Sequence, residues 1–329
     1  MAEQQSPAAR ALWYVARRRA ELRPSELPAR AVGGALVKTA WSGISRGTER
    51  LVFEGRVPPE EALAMRAPMQ EGEFPFPVKY GYSAVGQVED GPEDLKGHFV
   101  FALHPHQEQF TAPTAALVPI PETVPPRRAI LAANMETALN ALWDSGAGPG
   151  DSIAIVGAGV VGLLVAYLAA RLPGTDVAVV DINLERRNVA ERFGAAFHTP
   201  DGAPKDADVV FHTSASADGL ATAIKCAGQE ANVIEMSWYG DEAVSTPLGG
   251  AFHSRRLRLL SSQVGQVSPS RRPRWSLFRR LSKAVALLAD DRLDALITAE
   301  VAFGDLPDAA GDILAKNAPG LATAVRYSS

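Results

Sequence analysis

The sequence predicts an α/β protein in two parts, a β-rich domain and a doubly wound parallel-sheet domain, and three observations carry that reading. Residues 151–181, DSIAIVGAGVVGLLVAYLAARLPGTDVAVVD, set a glycine-rich turn between two short apolar runs. Before them the chain alternates loosely between apolar and polar residues, punctuated by Gly and Pro, as antiparallel sheet is. After them strand-like runs recur with helical stretches between, the rhythm of a parallel sheet.

The glycine turn is the most specific element. Ser152 to Val156 is long enough for a strand buried on both faces, and Gly157, Gly159 and Gly162 follow as G-x-G-x-x-G. In that pattern Gly157 permits the tight turn, Gly159 lets a diphosphate approach the main chain, and Gly162 lets helix and strand pack closely. The N–H groups at the start of the next helix, at Val160, Val161 and Gly162, and the helix dipole favour the diphosphate there. Leu163 to Leu172 has no breaker before Pro173 and Gly174, and Asp176 to Val180 reads as a second strand. Asp181 closes that strand nineteen positions past Gly162, where a carboxylate accepts hydrogen bonds from an adenosine ribose. Ile153 to Ala170 carries no charge and matches a minimal membrane span in length. The glycine turn near its start and the charged, strand-like flanks argue for a sheet instead.

Composition narrows the class. A chain of 329 residues, 47% hydrophobic and 21% charged, is long enough for two full cores and ordinary for a globular protein. The formal net charge of -4 argues against nucleic acid as a bulk partner. Cys226 is the single cysteine, which excludes an internal disulfide and a multi-cysteine zinc site and fits a reducing compartment. The N-terminal MAEQQSPAAR lacks an apolar core of signal-peptide length, so the cytoplasm, with no membrane partner, is the expected location.

In chain order, Ala11 to Val15 and Glu21 to Arg23 predict a hairpin with Arg17 to Arg19 as its solvated turn. Ala31 to Ser42 predicts further strand, leading to a polar loop, Ser42-Gly-Ile-Ser-Arg-Gly-Thr-Glu49. Arg56 to Phe76 reads as an irregular surface excursion. Phe76 to Val88 resumes strand, with Gly81 and Gly86 marking a bend or bulge. Gly97 to Phe110 supplies a strand and two histidines, His104 and His106, and Ala115 to Pro125 is extended. Ile130, Leu131, Met135, Leu139 and Leu142 recur at helical spacing, predicting one helix over Pro126 to Leu142. Beyond Asp181 the reading is helix over Arg186 to Phe193 and Gly219 to Ala227, with strands over Asp208 to His212, Ala231 to Ser237 and Leu257 to Val264. Their polar ends, Thr213 to Ser216, Ser237 to Gly240 and Ser261 to Gly265, fall where an open parallel sheet lines its ligand crevice. Ser268 to Arg280 is the one basic concentration, either a solvated helix start or a clamp for an acidic substrate group. Ala284 to Ile297 reads largely as helix, and the last thirty residues suit a return to the first domain.

This order resembles the medium-chain dehydrogenase/reductase family over nearly the full chain. The resemblance implies a GroES-like catalytic domain over 1–133 and 266–329 and a Rossmann domain over 134–265. The segment SGISRGTE is similar to the family loop that bears a cysteine zinc ligand followed by a diphosphate-binding arginine; Ser45 stands for the cysteine and Arg46 matches the arginine. GYSAVGQV is similar to the family's glycine-histidine-glutamate strand, with Tyr82 and Ser83 in place of histidine and glutamate. The third ligand position falls near Ala133 or Glu136, and neither register rebuilds a zinc site, so no zinc is expected. Among zinc-lacking branches WSGISRGTE looks most like the bacteriochlorophyllide a dehydrogenase subgroup, which oxidises a hydroxyethyl side chain on a chlorin. The resemblance further implies cofactor contacts from Thr137, near the nicotinamide, and from Ser214, Ser237, Trp238 and Gln263 at the strand ends. Asp181 to Arg186 is similar to the NAD-selective segment, with Arg186 on the same ribose, so NAD is expected over NADP. Family members pair through the edge strands of their Rossmann sheets, which would place Leu257 to Val264 in a homodimer.

Hydride transfer also needs a proton moved at the substrate oxygen, and without zinc a hydroxyl or an acid has to do it. Tyr82 is the first candidate, with Ser45, Thr48, Glu49 and Glu136 beside it; Glu49 is equally a partner for Arg46, and His104 and His106 a hydrogen-bonded pair in the wall. The expected activity is NAD(H)-dependent interconversion of a small alcohol and ketone. A quinone or enone reductase using NADPH, and a dinucleotide-binding sensor or scaffold without turnover, are the alternatives.

Overall fold

The computed structural model describes residues 9–328. Its chain divides into two compact units, one running up to Ala133 and resuming at Leu281, the other Asn134–Arg280. The return expected at residue 266 is displaced to Leu281, because Arg280 is bound into the second unit by Glu136, Asn140 and the Gln266 carbonyl. Among the described residues no helix is long and apolar enough to cross a membrane. The uncharged stretch from Ile153 instead divides into the strand Ser152–Val156, the glycine turn and the helix Val160–Ala169.

The first unit is sheet. Ala9–Ala16 and Arg19–Ser25 form the expected hairpin, and its basic turn is tied down where Arg17 and Arg18 meet Glu54 and Arg19 meets Glu21. The long strand Gly34–Ile44 is the spine of the larger sheet, pairing with Ala84–Asp90, with Gln109–Pro113 and with the C-terminal strand Ala322–Arg326. Both predicted glycine irregularities are present for steric reasons. Gly81 takes φ +121, and a Cβ there would lie 2.9 Å from the His106 ring. Opposite Gly86 the register slips between Thr39 and Trp41, and a Cβ on Gly86 would stand 2.4 Å from the Lys38 carbonyl oxygen. The core of this sheet gathers Ala35, Val37, Val88, Val100, Phe110 and Leu117, the inward residues of alternating strands.

Two sequence expectations change here. The polar loop after Ser42 is strand to Ile44 and then a helix, Arg46–Phe53, with Ser45 at its N-cap position. Glu49, Leu51, Val52 and Phe53 are its buried residues, so local burial, which a short polar-headed segment hides, decides for helix. The single helix expected over Pro126 to Leu142 is two, Pro126–Ala129 and Ala132–Ser145. At the break the Ile130 carbonyl accepts the Ser83 hydroxyl at 2.5 Å rather than continuing a helical ladder.

The second unit is a six-stranded sheet with every pairing parallel. Its order is Ala196–His198, Asp176–Val180, Ser152–Val156, Ala207–His212, Ala227–Glu235, Arg258–Ser261. Numbered along the chain that is 3-2-1-4-5-6, the doubly wound arrangement whose order reverses between Ser152–Val156 and Ala207–His212. The first strand is buried from Ile153 to Val156, hence its unbroken apolar sequence. The strand expected over Leu257 to Val264 is shorter, Arg258–Ser261, and lies exposed at the sheet edge. Leu277–Ala286 is helical and continues as 3₁₀ turns through Leu296. The last residues supply Ile297–Ala302 and Ala322–Arg326 to the first unit's sheet.

Candidate functional site

The glycine turn sits on the strand at which the sheet order reverses. Gly157 has φ +111, and a Cβ on it would meet the Thr213 hydroxyl at 2.7 Å and the Ser214 N–H nitrogen at 2.8 Å. A Cβ on Gly162 would lie 2.0 Å from the Gly157 carbonyl oxygen, so the helix can start this close to the strand only with glycine there. Gly159 meets nothing within 4 Å, which leaves open space over its backbone. The first helical bond is Leu163 N–H to Gly159 C=O, so the N–H groups of Val160, Val161 and Gly162 precede the ladder. Asp181 braces the turn: its carboxylate accepts from Ala158 N–H at 2.5 Å and from Asn183 N–H at 2.8 Å. Thr213 braces it from the other side, donating to the Gly157 carbonyl at 2.8 Å. The turn therefore holds its shape from within the protein and presents a cradle of donors with room above it, the geometry that takes a dinucleotide diphosphate.

The remaining predicted cofactor residues have varied surroundings. Ser237 Oγ accepts Ala215 N–H at 3.1 Å, and Gln263 accepts Gly265 N–H at 2.6 Å through Oε1. Thr137 is half-buried on the helix Ala132–Ser145, and Trp238 and Arg186 are half-buried too. Next to Arg186, Arg187 lies over the Phe197 ring and pairs with Glu191. Arg46 donates through its guanidinium to the carbonyls of Ala318, Pro319, Gly320 and Leu321. Glu136 is engaged inside the second unit. It was expected as a proton-transfer group; within the second unit it is buried and accepts Arg280 Nε at 3.0 Å, and burial keeps its carboxyl above the usual range although Arg280 opposes that. Arg280 is fully buried as well, so this end of the basic run is internal structure, and Arg272 donates to Val267.

In the first unit the structure joins Tyr82, Ser45, Thr48 and Glu49 to Tyr14, Ser42 and Tyr327, to which the sequence assigned no role, and to His106, expected only as half of a histidine pair. Tyr82 donates its phenol to Ser45 Oγ at 2.5 Å. Burial pushes that phenol up to about 12, with hydrogen bonds to Ser45 and Thr48 opposing and the Glu49 charge adding, so it is a neutral proton donor at pH 7. The Glu49 carboxylate, wholly buried, accepts Ser45 N–H at 2.7 Å, Tyr14 OH at 2.9 Å and His106 Nε2 at 3.0 Å. His106 Nδ1 lies 2.7 Å from Ser42 Oγ, which lies 3.0 Å from Tyr327 OH. The result is a continuous buried chain, Tyr14–Glu49–His106–Ser42–Tyr327, joined through the Ser45 main chain to the Tyr82–Ser45 pair. Ser42 and His106 were in view in the sequence, but strand pairings across 64 positions bring them together, and no local spacing announces that.

The two histidines expected as a bonded pair have separate roles. His104 stacks on Phe110 at 3.8 Å and bonds the Pro105 carbonyl through Nδ1 at 2.9 Å. Burial drives its pKa from 6.5 down to about 3, with Lys79 and His106 adding to the shift and the Pro105 carbonyl opposing it. The unfolded chain binds a proton near 6.5 and the folded chain does not until near 3, so stability held above that window is lost as pH falls through it. The unfolding free energy from urea titration should fall from pH 6.5 toward acid by about 1.4 kcal/mol per pH unit at the steepest. His104→Phe should flatten that slope, and an equal slope in the variant would show that another group sets it.

His104 also borders a cavity of about 220 Å³ with Gln70, Glu71, Lys79, Gln107 and Phe110, to which the Arg56 to Phe76 excursion contributes one wall. Lys79 is 1% exposed there, and burial lowers its pKa against the opposing pull of Glu71. Among the described residues no group of three His, Cys, Asp or Glu side chains is placed to hold a metal ion.

Comparison with known proteins bears on the fold. The family description "Alanine dehydrogenase/PNT, C-terminal domain" matches residues 145–236, the span from Ser145, at the end of the helix before the glycine turn, through Met236. A D-guloside 3-dehydrogenase of Escherichia coli K12 is 26% identical over 185 residues, 52% of this chain and 53% of the relative. The chain thus matches about half the length of that relative. Among solved structures, a zinc-binding dehydrogenase of Sinorhizobium meliloti 1021 bound to NADP superposes with TM-score 0.78 at 20% identity, covering 98% of this chain and 100% of the other. L-idonate 5-dehydrogenase of Escherichia coli K-12 does so with TM-score 0.78 at 15% identity, covering 97% and 98%. At these identities the likeness is one of fold, and it extends over both units.

Proposed function

We propose that this chain, which has the two-domain fold of the medium-chain dehydrogenase/reductases, is an NAD(H)-dependent oxidoreductase that interconverts an alcohol and a ketone without zinc. The observation that carries the reading is the glycine cradle: two glycines that admit no Cβ, a third under open space, and an acid bracing the turn. A nicotinamide dinucleotide, when bound, supplies or accepts the hydride. The residues that would hold it are Gly157, Gly159, Val160, Val161 and Gly162 at the diphosphate and Asp181 at the ribose, with Thr137, Arg186, Ser214, Ser237 and Gln263 as further contacts. The Asp181 carboxylate retains lone pairs beyond its two N–H donors, enough to accept ribose hydroxyls. A 2′-phosphate brought to the same carboxylate would meet like charge, which favours NAD over NADP.

The proton is the task of the first unit. Tyr82, a neutral phenol held on Ser45, donates to the substrate oxygen during reduction and takes the proton back during oxidation. Ser45 and Tyr82 stand where the resemblance puts two metal ligands, and neither is a good zinc donor. The Glu49–His106 pair, satisfied by its own hydrogen bonds, supports metal-free chemistry in the same place. A homodimer paired through the edge strand Arg258–Ser261, whose Leu259 and Leu260 are exposed, suits this reading.

Calorimetric titration of the full chain with NADH and NADPH is the test, with solution mass and bound metal measured on the same sample. NADH should bind at least about tenfold more tightly, a difference of about 1.4 kcal/mol. An alcohol and ketone panel should show turnover without stoichiometric zinc. Failure of either nucleotide to bind overturns the reading, and stoichiometric zinc overturns its chemistry.

A further inference from the structure

The ends of the fourth and fifth strands of the second unit carry a constellation of which the proposed dehydrogenation would use only Ser214 and Ser237, as cofactor contacts, and leave His212 and Glu235 without a role. His212, wholly buried, lies with Nδ1 2.7 Å from Glu235 Oε2 and with Nε2 2.6 Å from the Ser214 hydroxyl. Glu235 also accepts Ser237 N–H at 2.8 Å and the Tyr239 phenol at 3.2 Å. Burial pushes its carboxyl up, but the bonds from His212 and Ser237 outweigh that and hold it below the usual range, as a carboxylate. A carboxylate only accepts, so Nδ1 carries the imidazole proton and Nε2 is left as the acceptor for the Ser214 O–H. The chain has one direction throughout. Ser216 Oγ accepts Gly219 N–H at 3.1 Å and can therefore donate to Ser214 Oγ at 3.0 Å, while Ser214 donates to His212 and His212 to Glu235.

We propose that Ser214, His212 and Glu235 form an acyl-transfer site, with Ser214 as the nucleophile toward esters of small carboxylic acids. Hydroxyl, imidazole and carboxylate stand in the order and contacts that nucleophilic serine chemistry uses. Ser214 is exposed, His212 behind it is wholly buried and Glu235 half-buried, so an acyl donor can reach the hydroxyl and water has little access to its base. The serine follows a strand and precedes the helix Ala217–Cys226, with Ala215 in the left-handed region at φ +50 to make the sharp turn. Gly219 is required by this pair: a Cβ there would lie 2.0 Å from Ser214 Oγ and 2.9 Å from His212 Nε2. The N–H groups of Ala217 and Asp218 precede the first helical bond, from Leu220 to Ser216, and are the donors available to a developing oxyanion.

In the reaction Ser214 Oγ attacks the ester carbonyl as His212 Nε2 takes the hydroxyl proton. The tetrahedral adduct collapses, the carbon–alkoxy bond breaks, and the leaving alkoxide takes that proton from His212. Water, deprotonated by the same nitrogen, then cleaves the acyl–Oγ bond, releasing the carboxylic acid and restoring Ser214.

The experiment uses the full chain with no nicotinamide nucleotide present, so its outcome is independent of the dehydrogenase reading. An alkyl fluorophosphonate should modify Ser214, located by peptide mass, and p-nitrophenyl acetate should be hydrolysed. His212→Asn should slow both by about 10²-fold or more, the usual worth of a positioned base. Ser214→Ala, a change at an exposed side chain, should keep the thermal transition and lose both. Labelling at another residue, no labelling of Ser214, or undiminished hydrolysis in Ser214→Ala overturns the proposal.

Discussion

Tyr82→Phe is expected to lower kcat by about 10²–10⁴-fold, the usual worth of a positioned acid or base, and to leave NADH binding unchanged. The phenol is the group in the Ser45 network whose proton is both held in place and available at neutral pH. Phenylalanine keeps the ring, including its edge-on packing at 6.0 Å against Tyr80, so the loss should be chemical rather than structural. The two effects separate in the measurement. Steady-state kinetics on the best alcohol of the panel should show kcat and kcat/KM falling together, the mark of a contact made in the transition state. Calorimetry with NADH should return the parent affinity, and the thermal transition should stay in place. A variant with parent kcat would move the proton to the Glu49–His106 chain, where Glu49→Gln would then be the informative change.

Legibility in the sequence followed the range of the interactions. The dinucleotide unit could be read because its signal is local: three glycines and an acid within one strand–turn–helix–strand stretch, with the steric tasks of Gly157 and Gly162 evident in the structure and Asp181 bracing the turn through Ala158 N–H, a contact the sequence did not announce. The hairpin at Arg17 and the irregularities at Gly81 and Gly86 were legible for the same reason. The buried chain through Glu49, His106, Ser42 and Tyr327 was not. Its last bond spans 285 positions, and each member taken alone is an ordinary polar residue. The helix Arg46–Phe53 hid behind Gly47 and a run of polar residues, since helix propensity at eight residues is too weak to speak without its packing partners. His212 was passed over inside an apolar strand, where its partners Glu235 and Tyr239 come from the neighbouring strand and the turn after it.

The largest stability effect is expected at Arg280, the same residue that sequence reading had placed in a solvated or substrate-facing basic run. Its guanidinium is 1% exposed and donates to Glu136, to the Asn140 side chain and to the carbonyls of Gln266 and Val264. Taking such a charge out of water is costly, and the surrounding acceptors offset the cost only as a complete set. Asn140 extends the set by accepting Ser268 N–H at 3.1 Å and donating to Asp144, which also accepts the Ser262 hydroxyl at 2.7 Å. Arg280→Met keeps much of the packed stem but leaves the Glu136 carboxylate buried without its cation, which should cost about 3–5 kcal/mol. Glu136→Leu in the same chain removes the stranded charge, so the double variant should regain most of that loss despite the second lesion. Urea unfolding of the parent, the single and the double variants decides the matter. If Arg280→Met costs less than about 1 kcal/mol, the ion pair is incidental to the second unit. If the double variant is no better than the single, the carbonyls of Gln266 and Val264, rather than Glu136, are what the guanidinium chiefly satisfies.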